Sequence, residues 1–152
     1  MRLLLLALHL LGFVLWLGGG LAAMLVGPVM RSVERGELGP LIVVYGRLHR
    51  ALILPGVLLT VLTGLLLTLQ LYGGAVSAAG FPVPLMVMQG SGLLAAGIVL
   101  TVSLPTVSRL GRLDPSGEAA PLYRALQRRA AIAGALAGTL GLVALVAGAW
   151  MA

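Results

Sequence analysis

The sequence lacks cysteine and lysine, and only four of its 152 residues are acidic. Without cysteine the chain has no disulfide, no thiolate metal site and no thiol nucleophile. Charged residues make up 9% of the chain, against the roughly 25% that is typical of soluble domains. Apolar residues make up 60%, so the composition favours a protein that is embedded in a membrane.

Charge is also nearly missing from four long apolar segments, which we predict to be membrane spans. They cover about residues 3–27, 48–71, 83–104 and 130–151, with Arg50 near the start of the second as their one charged residue, and the first and third are expected to stop at Pro28 and Pro105. Each is close to the ~20 residues that cross a bilayer core as a helix. Because backbone amides in lipid need internal hydrogen bonds, helices are favoured. The expected fold is all-α, a polytopic membrane protein whose single domain, residues 1–152, is a four-transmembrane-helix bundle.

All ten basic residues are arginines, and nine lie in two stretches, residues 31–50 and 109–129, at or between the ends of the apolar segments. Since basic loops stay on the cytoplasmic side, we expect both stretches inside, and both termini and the uncharged 71–84 loop outside, in a bacterial cytoplasmic membrane. A cleaved signal peptide in the first segment is the alternative, but its removal would place arginines outside.

The net charge of +6 points to the lipid bilayer as a partner. Basic residues beside membrane spans meet anionic headgroups, and those expected to do so are Arg47, Arg50, Arg124, Arg128 and Arg129. No basic run is interleaved with aromatic residues, which disfavours nucleic acid.

The two halves of the chain, residues 1–74 and 79–152, align without gaps. In this alignment Arg31 falls on Arg109, Tyr45 on Tyr123, Arg50 on Arg128, Gly12 on Gly90 and Gly56 on Gly134. We interpret the match as a tandem helical-hairpin repeat in which both copies run in the same direction. The alternative is that two hairpins under the same insertion constraints resemble each other by chance.

Small residues recur along one stripe in three predicted helices and should let helix backbones approach closely. They are Gly12 and Gly20, Gly56 and Gly64, and Ala130, Gly134 and Gly138. We expect them to pack the four helices on one another. A contact between chains, in a homo-oligomer or with other membrane subunits, is the alternative. Pro55 removes a backbone donor, so the second helix should kink there.

The few polar groups within the spans define the candidate site. His9 lies near the outer face in helix one, and Met86, Met88 and Gln89 lie at similar depth in helix three. Imidazole and thioether groups bind both Cu(I) and haem iron. His9 is therefore a candidate metal ligand for copper or haem b, with these three residues as further cofactor-binding candidates. The alternative is that the methionines only pack and Gln89 bonds His9.

The second histidine, His49, lies between Arg47 and Arg50 and is expected at headgroup level near the inner face. At 1.5 Å per residue the two histidines are about 15 Å apart along the membrane normal, too far to share one iron. The spans carry no acidic residue, which excludes a carboxylate pair for catalysis or proton transfer there. No catalytic residue is predicted.

Short motifs link the chain to known membrane proteins. They are Leu8-His9 with Gly12, Trp16, Gly18 and Gly19; Leu54-Pro55-Gly56 with Thr60, Thr63 and Gly64; and Tyr123-Arg124 with Arg128-Arg129. In these the chain resembles small bacterial membrane proteins related to the CopD-like copper-resistance domain, which implies copper handling. Its first two helices are similar to HemJ-type protoporphyrinogen oxidases, which implies a haem ligand at His9. The third helix here lacks the histidine–lysine motif of those oxidases.

Three functions follow from these observations. The leading hypothesis is a non-enzymatic integral membrane protein that acts as a structural or accessory subunit of a membrane assembly. The alternative is a membrane redox protein that binds haem b or copper through His9. A small-molecule transporter ranks third, because the spans offer no charged site for a substrate.

Overall fold

The computed structural model describes residues 1–73, 80–115 and 117–151, without the side chain of Arg35. These residues form four long helices and no strand, so the all-α fold class is confirmed. The helices are α1 (Arg2–Ser32), α2 (Leu38–Tyr72), α3 (Val83–Leu110) and α4 (Ala120–Ala149). Each lies in a helical segment long and apolar enough to cross a membrane. Short 3-10 turns, Arg35–Glu37 and Gly117–Ala119, precede α2 and α4.

The four helices form an antiparallel bundle made of two hairpins. The main contacts join α1 to α2 and α3 to α4, and smaller contacts join α1 to α4 and α2 to α3. Diagonally opposite helices lie farther apart, and among the described residues none of their Cα atoms come within 8 Å of each other. We call the end with residues 33–37 and 111–119 the arginine end, and the other the termini end. Residues 74–79, most of the uncharged loop at the termini end, lie outside the described residues.

Prolines do not end the helices as the sequence suggested. Pro28 lies inside α1, which continues to Ser32, and α3 continues past Pro105 to Leu110. In α3 a π turn, Val99–Ser103, comes just before the proline. There the amide of Leu104 donates to the carbonyl of Val99, five residues earlier. Because proline lacks an amide hydrogen and clashes with the carbonyl four residues back, a widened turn lets the helix continue.

Helix α2 also contains a π turn just before a proline. The π turn His49–Ile53 precedes Pro55, and the amide of Leu54 donates to the carbonyl of His49. The sequence predicts a kink at Pro55. What the structure shows just before this proline is a π turn, in which the hydrogen bond spans five residues instead of four. Both π turns lie towards the arginine end, on neighbouring helices.

Glycines bring α1 and α2 together at their closest approach. A Cβ atom on Gly12 would lie 2.7 Å from the backbone nitrogen of Thr60, and one on Gly56 would lie 2.5 Å from that of Trp16. No side chain fits at either position. A Cβ on Gly64 would lie 2.9 Å from Cε1 of the His9 ring, so Gly64 leaves room for that side chain.

The other three glycines predicted to pack helices do not do so within the chain. A Cβ on Gly20, Gly134 or Gly138 would meet nothing within 4 Å. Helix α4 instead buries a stripe made of Ala130, Ala133, Ala137, Gly141 and Ala144. At 3.6 residues per turn, each four-residue step rotates the stripe by about 40°. Residues spaced by four, such as Ala130, Gly134 and Gly138, therefore drift off the face of α4 that contacts the bundle. Residues spaced by a mixture of three and four, as in the buried stripe, remain on that face.

Candidate functional site

His9 projects from α1 towards α2, where two polar groups meet its ring. Its Nδ1 lies 2.9 Å from the carbonyl oxygen of Thr60 and 3.2 Å from Oγ1 of Thr63. A carbonyl oxygen only accepts, so Nδ1 carries the proton and donates to Thr60. The other nitrogen, Nε2, then keeps its lone pair. Metal-binding histidines have the same arrangement, in which a backbone carbonyl orients the ring.

Gln89 bonds Thr68 of α2 instead of His9. Its Nε2 donates to Oγ1 of Thr68 over 2.6 Å, and Thr68 donates to the carbonyl oxygen of Gly64 over 3.0 Å. The expected hydrogen bond from Gln89 to His9 is therefore absent from the described contacts. The contact joins α3 to α2 and so ties the two hairpins together.

A small cavity joins three of the four residues proposed from the sequence. His9, Met88 and Gln89 all line a space of about 40 Å³, to which α2 and Ala144 of α4 also contribute. Met86 does not take part, because its side chain is 53% exposed on the outside of the bundle. The sulfur of Met88 lies against Gly148 of α4, 3.2 Å from where a Cβ would stand.

The volume of this cavity decides which cofactor the residues fit. About 40 Å³ holds a water molecule or a single ion, whereas larger organic ligands occupy pockets of roughly 300–1,000 Å³. Haem b therefore does not fit this packing. The space is large enough for a monovalent copper ion, and His9 and Met88, whose imidazole and thioether groups suit Cu(I), are both among the residues that line it.

His49 is buried inside the bundle, whereas its arginine neighbours are exposed. Its side chain is only 4% exposed, and its Nδ1 lies 2.9 Å from the carbonyl oxygen of Tyr45. The two rings also pack, with centroids 4.6 Å apart. Arg47 and Arg50 on either side are exposed, since successive helical residues point about 100° apart and the middle one turns inwards. His49 lies roughly 16 Å along α2 from the groups that bond His9.

A much larger cavity lies at the arginine end between α1 and α4. Its volume is about 740 Å³. Polar side chains from three helices line it: Arg31 from α1, Tyr45 from α2, and Tyr123, Arg124, Gln127 and Arg128 from α4. From the sequence, Arg124 and Arg128 were expected to contact lipid headgroups. The sequence did not predict that these six polar residues would line one cavity.

The other proposed headgroup arginines lie elsewhere. Arg47, Arg50 and Arg129 are exposed and are not among the residues that line this cavity. The alignment of the two halves of the chain contained a hint of this cavity, because it pairs Tyr45 with Tyr123, and both tyrosines line the cavity. Only the bundle shows that they meet.

A third depression is an apolar groove at the termini end between α3 and α4. It measures about 370 Å³ and is lined by Val83, Val87, Leu142, Val146, Trp150 and their neighbours. The residues that line this groove are almost all apolar.

In the described part of the chain no three His, Cys, Asp or Glu side chains form a group that could hold a metal ion. Comparison of the chain with known proteins finds no matching family model, no similar curated protein and no similar solved structure.

Proposed function

We propose that this chain is a non-enzymatic integral membrane protein that serves as a structural or accessory subunit of a larger membrane assembly. The observation that carries the proposal is an open face on α4. Gly134 and Gly138 lie there one turn apart, and nothing in the described chain approaches them. Leu142 continues this face into the apolar groove beside α3.

The physical argument is that helices in lipid associate by close packing at small residues. Within the chain this packing already uses Gly12 and Gly56 in one hairpin and the alanines of α4 in the other. The pair Gly134 and Gly138 is therefore available to another membrane helix. That helix belongs to a second copy of the chain or to a different subunit.

The mass of the purified protein in mild detergent tests the proposal. Wild type should run as a homo-oligomer or with a co-purifying membrane protein, and the double variant Gly134→Leu/Gly138→Leu should run alone. The matched control is Gly18→Leu/Gly20→Leu, which adds the same bulk to α1 where nothing lies within 4 Å. This control should keep the association. A wild type that is strictly monomeric and has no partner would remove the basis of the proposal.

The proposal includes a location and an orientation. We place the chain in a bacterial cytoplasmic membrane with the arginine end inside and both termini outside, because nine of ten arginines belong to that end. We also retain the duplicated hairpin. It is supported by the common direction of the two hairpins and by the shared cavity of Tyr45 and Tyr123.

One observation favours a second function, the binding of copper at His9. The hydrogen bond to Thr60 leaves the Nε2 lone pair free, and Met88 lines the same ion-sized cavity. Handling of Cu(I) in the half of the membrane near the termini end fits these donors, and the resemblance to the CopD-like domain also implies copper.

A further inference from the structure

The proposed subunit role leaves the cavity at the arginine end without a function. Its volume of about 740 Å³ lies within the range of natural ligand pockets. It is also set apart from His9, at the opposite end of the bundle. The walls of the cavity show which chemistry it would accept.

Positive charge dominates the polar wall. Arg31, Arg124 and Arg128 line the cavity, and all three are exposed. Guanidinium groups present paired N–H donors that match phosphate oxygens. The wall therefore selects an anion, and a phosphate suits it best.

The backbone adds to this preference. Ala120, the first residue of α4, lines the cavity, and no side chain caps that end of the helix. Pro121 has no N–H group, and the 3-10 turn Gly117–Ala119 runs directly into α4, so the backbone contributes mainly the helix dipole, which favours a negative charge there.

Tyr123 carries an unsatisfied polar group within this wall. Its side chain lines the cavity and is 3% exposed. Its hydroxyl group is buried and has no hydrogen-bond partner within the described residues. Such groups are rare in folded proteins because they destabilise them. The hydroxyl group is closed off from the cavity in this packing, so a ligand oxygen would become its partner through a turn of the Tyr123 side chain.

The rest of the cavity is apolar and opens sideways. Gly27 of α1 and Ala131 and Ile132 of α4 line it, and Ile132 is half exposed on the side of the bundle. Further along the same seam the two helices close, because Trp16 and Leu17 reach Gly141. The opening therefore leads from the arginines to the surface that would face lipid tails.

We propose that this cavity binds an anionic phospholipid, with the phosphate between Arg31, Arg124 and Arg128 and the acyl chains leaving between α1 and α4. The apolar side opening separates this ligand from free phosphate, which needs only the basic wall. A lipid held in this way would fill the gap between the two hairpins at the arginine end.

Native mass spectrometry of delipidated protein in mild detergent tests the site. Phosphatidylglycerol, phosphatidylcholine and inorganic phosphate are titrated separately. Wild type should retain phosphatidylglycerol in preference to phosphatidylcholine. In Arg124→Gln/Arg128→Gln the Kd should rise by about tenfold or more, as expected for loss of charge-assisted hydrogen bonds. The control Arg47→Gln/Arg50→Gln removes the same charge outside the cavity and should change the Kd little.

Two further variants act without removing charge. Ala131→Trp should obstruct the side opening and weaken phosphatidylglycerol binding, and Tyr123→Phe should weaken it while leaving the lipid-free protein folded. Equal losses in both double arginine variants, or equal retention of the two lipids, would show general surface attraction and overturn the proposal. Inorganic phosphate that binds as tightly as phosphatidylglycerol, with Ala131→Trp unaffected, would overturn the lipid assignment.

Discussion

His9 is held by α2, the next helix along the chain, and this contact decides which ring nitrogen carries the proton. The acceptor is the backbone carbonyl of Thr60, so substitution of the Thr60 side chain would not remove it. Gly64 makes room for the ring, and Phe13 meets it edge-on with ring centroids 5.3 Å apart. The ring is therefore fixed in orientation before any ligand binds, which lowers the cost of binding an ion.

Copper binding at this residue can be measured directly. Wild-type protein reconstituted with Cu(I) should bind the metal, and His9→Ala should lose it. Met88→Leu should weaken binding by at least about tenfold, the lower end of what even indirect substitutions around metals cost. Met86→Leu is the control, because that side chain lies outside the cavity. Wild type that binds no Cu(I), or a Met86→Leu variant as defective as Met88→Leu, would rule out this site.

At the scale of helices, the contact between α1 and α2 differs from that between α3 and α4. The first hairpin packs glycine against backbone at Gly12 and Gly56, whereas their aligned partners Gly90 and Gly134 have open space around them. The second hairpin buries alanines instead. The π turns also fall in α2 and α3, and not at aligned positions. If the halves arose by duplication, their packing has since diverged.

Substitution of single glycines by alanine should destabilise the protein where helix backbones are in close contact and should have little effect where the glycine has open space around it. Gly12→Ala places a Cβ 2.7 Å from the Thr60 backbone nitrogen, so the helices must move apart. Overpacking of this kind costs about 1–3 kcal/mol. Gly18→Ala adds the same methyl group where nothing lies within 4 Å, away from the proposed contact face, and should leave stability unchanged or slightly higher. Thermal unfolding followed by circular dichroism in detergent measures both. Equal melting temperatures for the two variants would contradict this account of the hairpin.

At the scale of the whole molecule, the two ends of the bundle offer different chemistry. The arginine end has a wide basic cavity, and the termini end has an ion-sized cavity and an apolar groove. Between them the seam between the hairpins is closed by Trp16 against Gly141 and tied by Gln89 to Thr68. A ligand at one end therefore has no open path to the other through the described core.

The proposed orientation can be tested because the chain has no cysteine of its own. Single variants Gly36→Cys and Glu118→Cys place a thiol at exposed positions of the arginine end, and Pro82→Cys places one at the termini end. In intact cells a membrane-impermeant maleimide should label only Pro82→Cys, since arginine-rich loops stay in the cytoplasm. Labelling of the two arginine-end variants before permeabilisation would reverse the orientation.

Much of the architecture could be predicted from the sequence, but less of the candidate site. The four apolar segments correspond to four long helices, although Pro28 and Pro105 proved not to end theirs. His9, Met88 and Gln89 do line one cavity, because helix depth alone places them at one level. The sequence also placed Met86 at the site and Gly138 in a helix contact within the chain. Both predictions were wrong because depth along a helix does not tell which way a residue faces, which depends on how the helix is rotated.

The sequence by itself determined the number of helices and where the arginines gather. Each apolar segment forms a helix on its own account, because backbone hydrogen bonding and the cost of burying charge act on it locally. Only the tertiary structure decided which residues face one another. That choice depends on how the helices are rotated and where π turns shift their faces. For this reason His49 proved to be buried, and Tyr45, Tyr123 and the arginines proved to share one cavity.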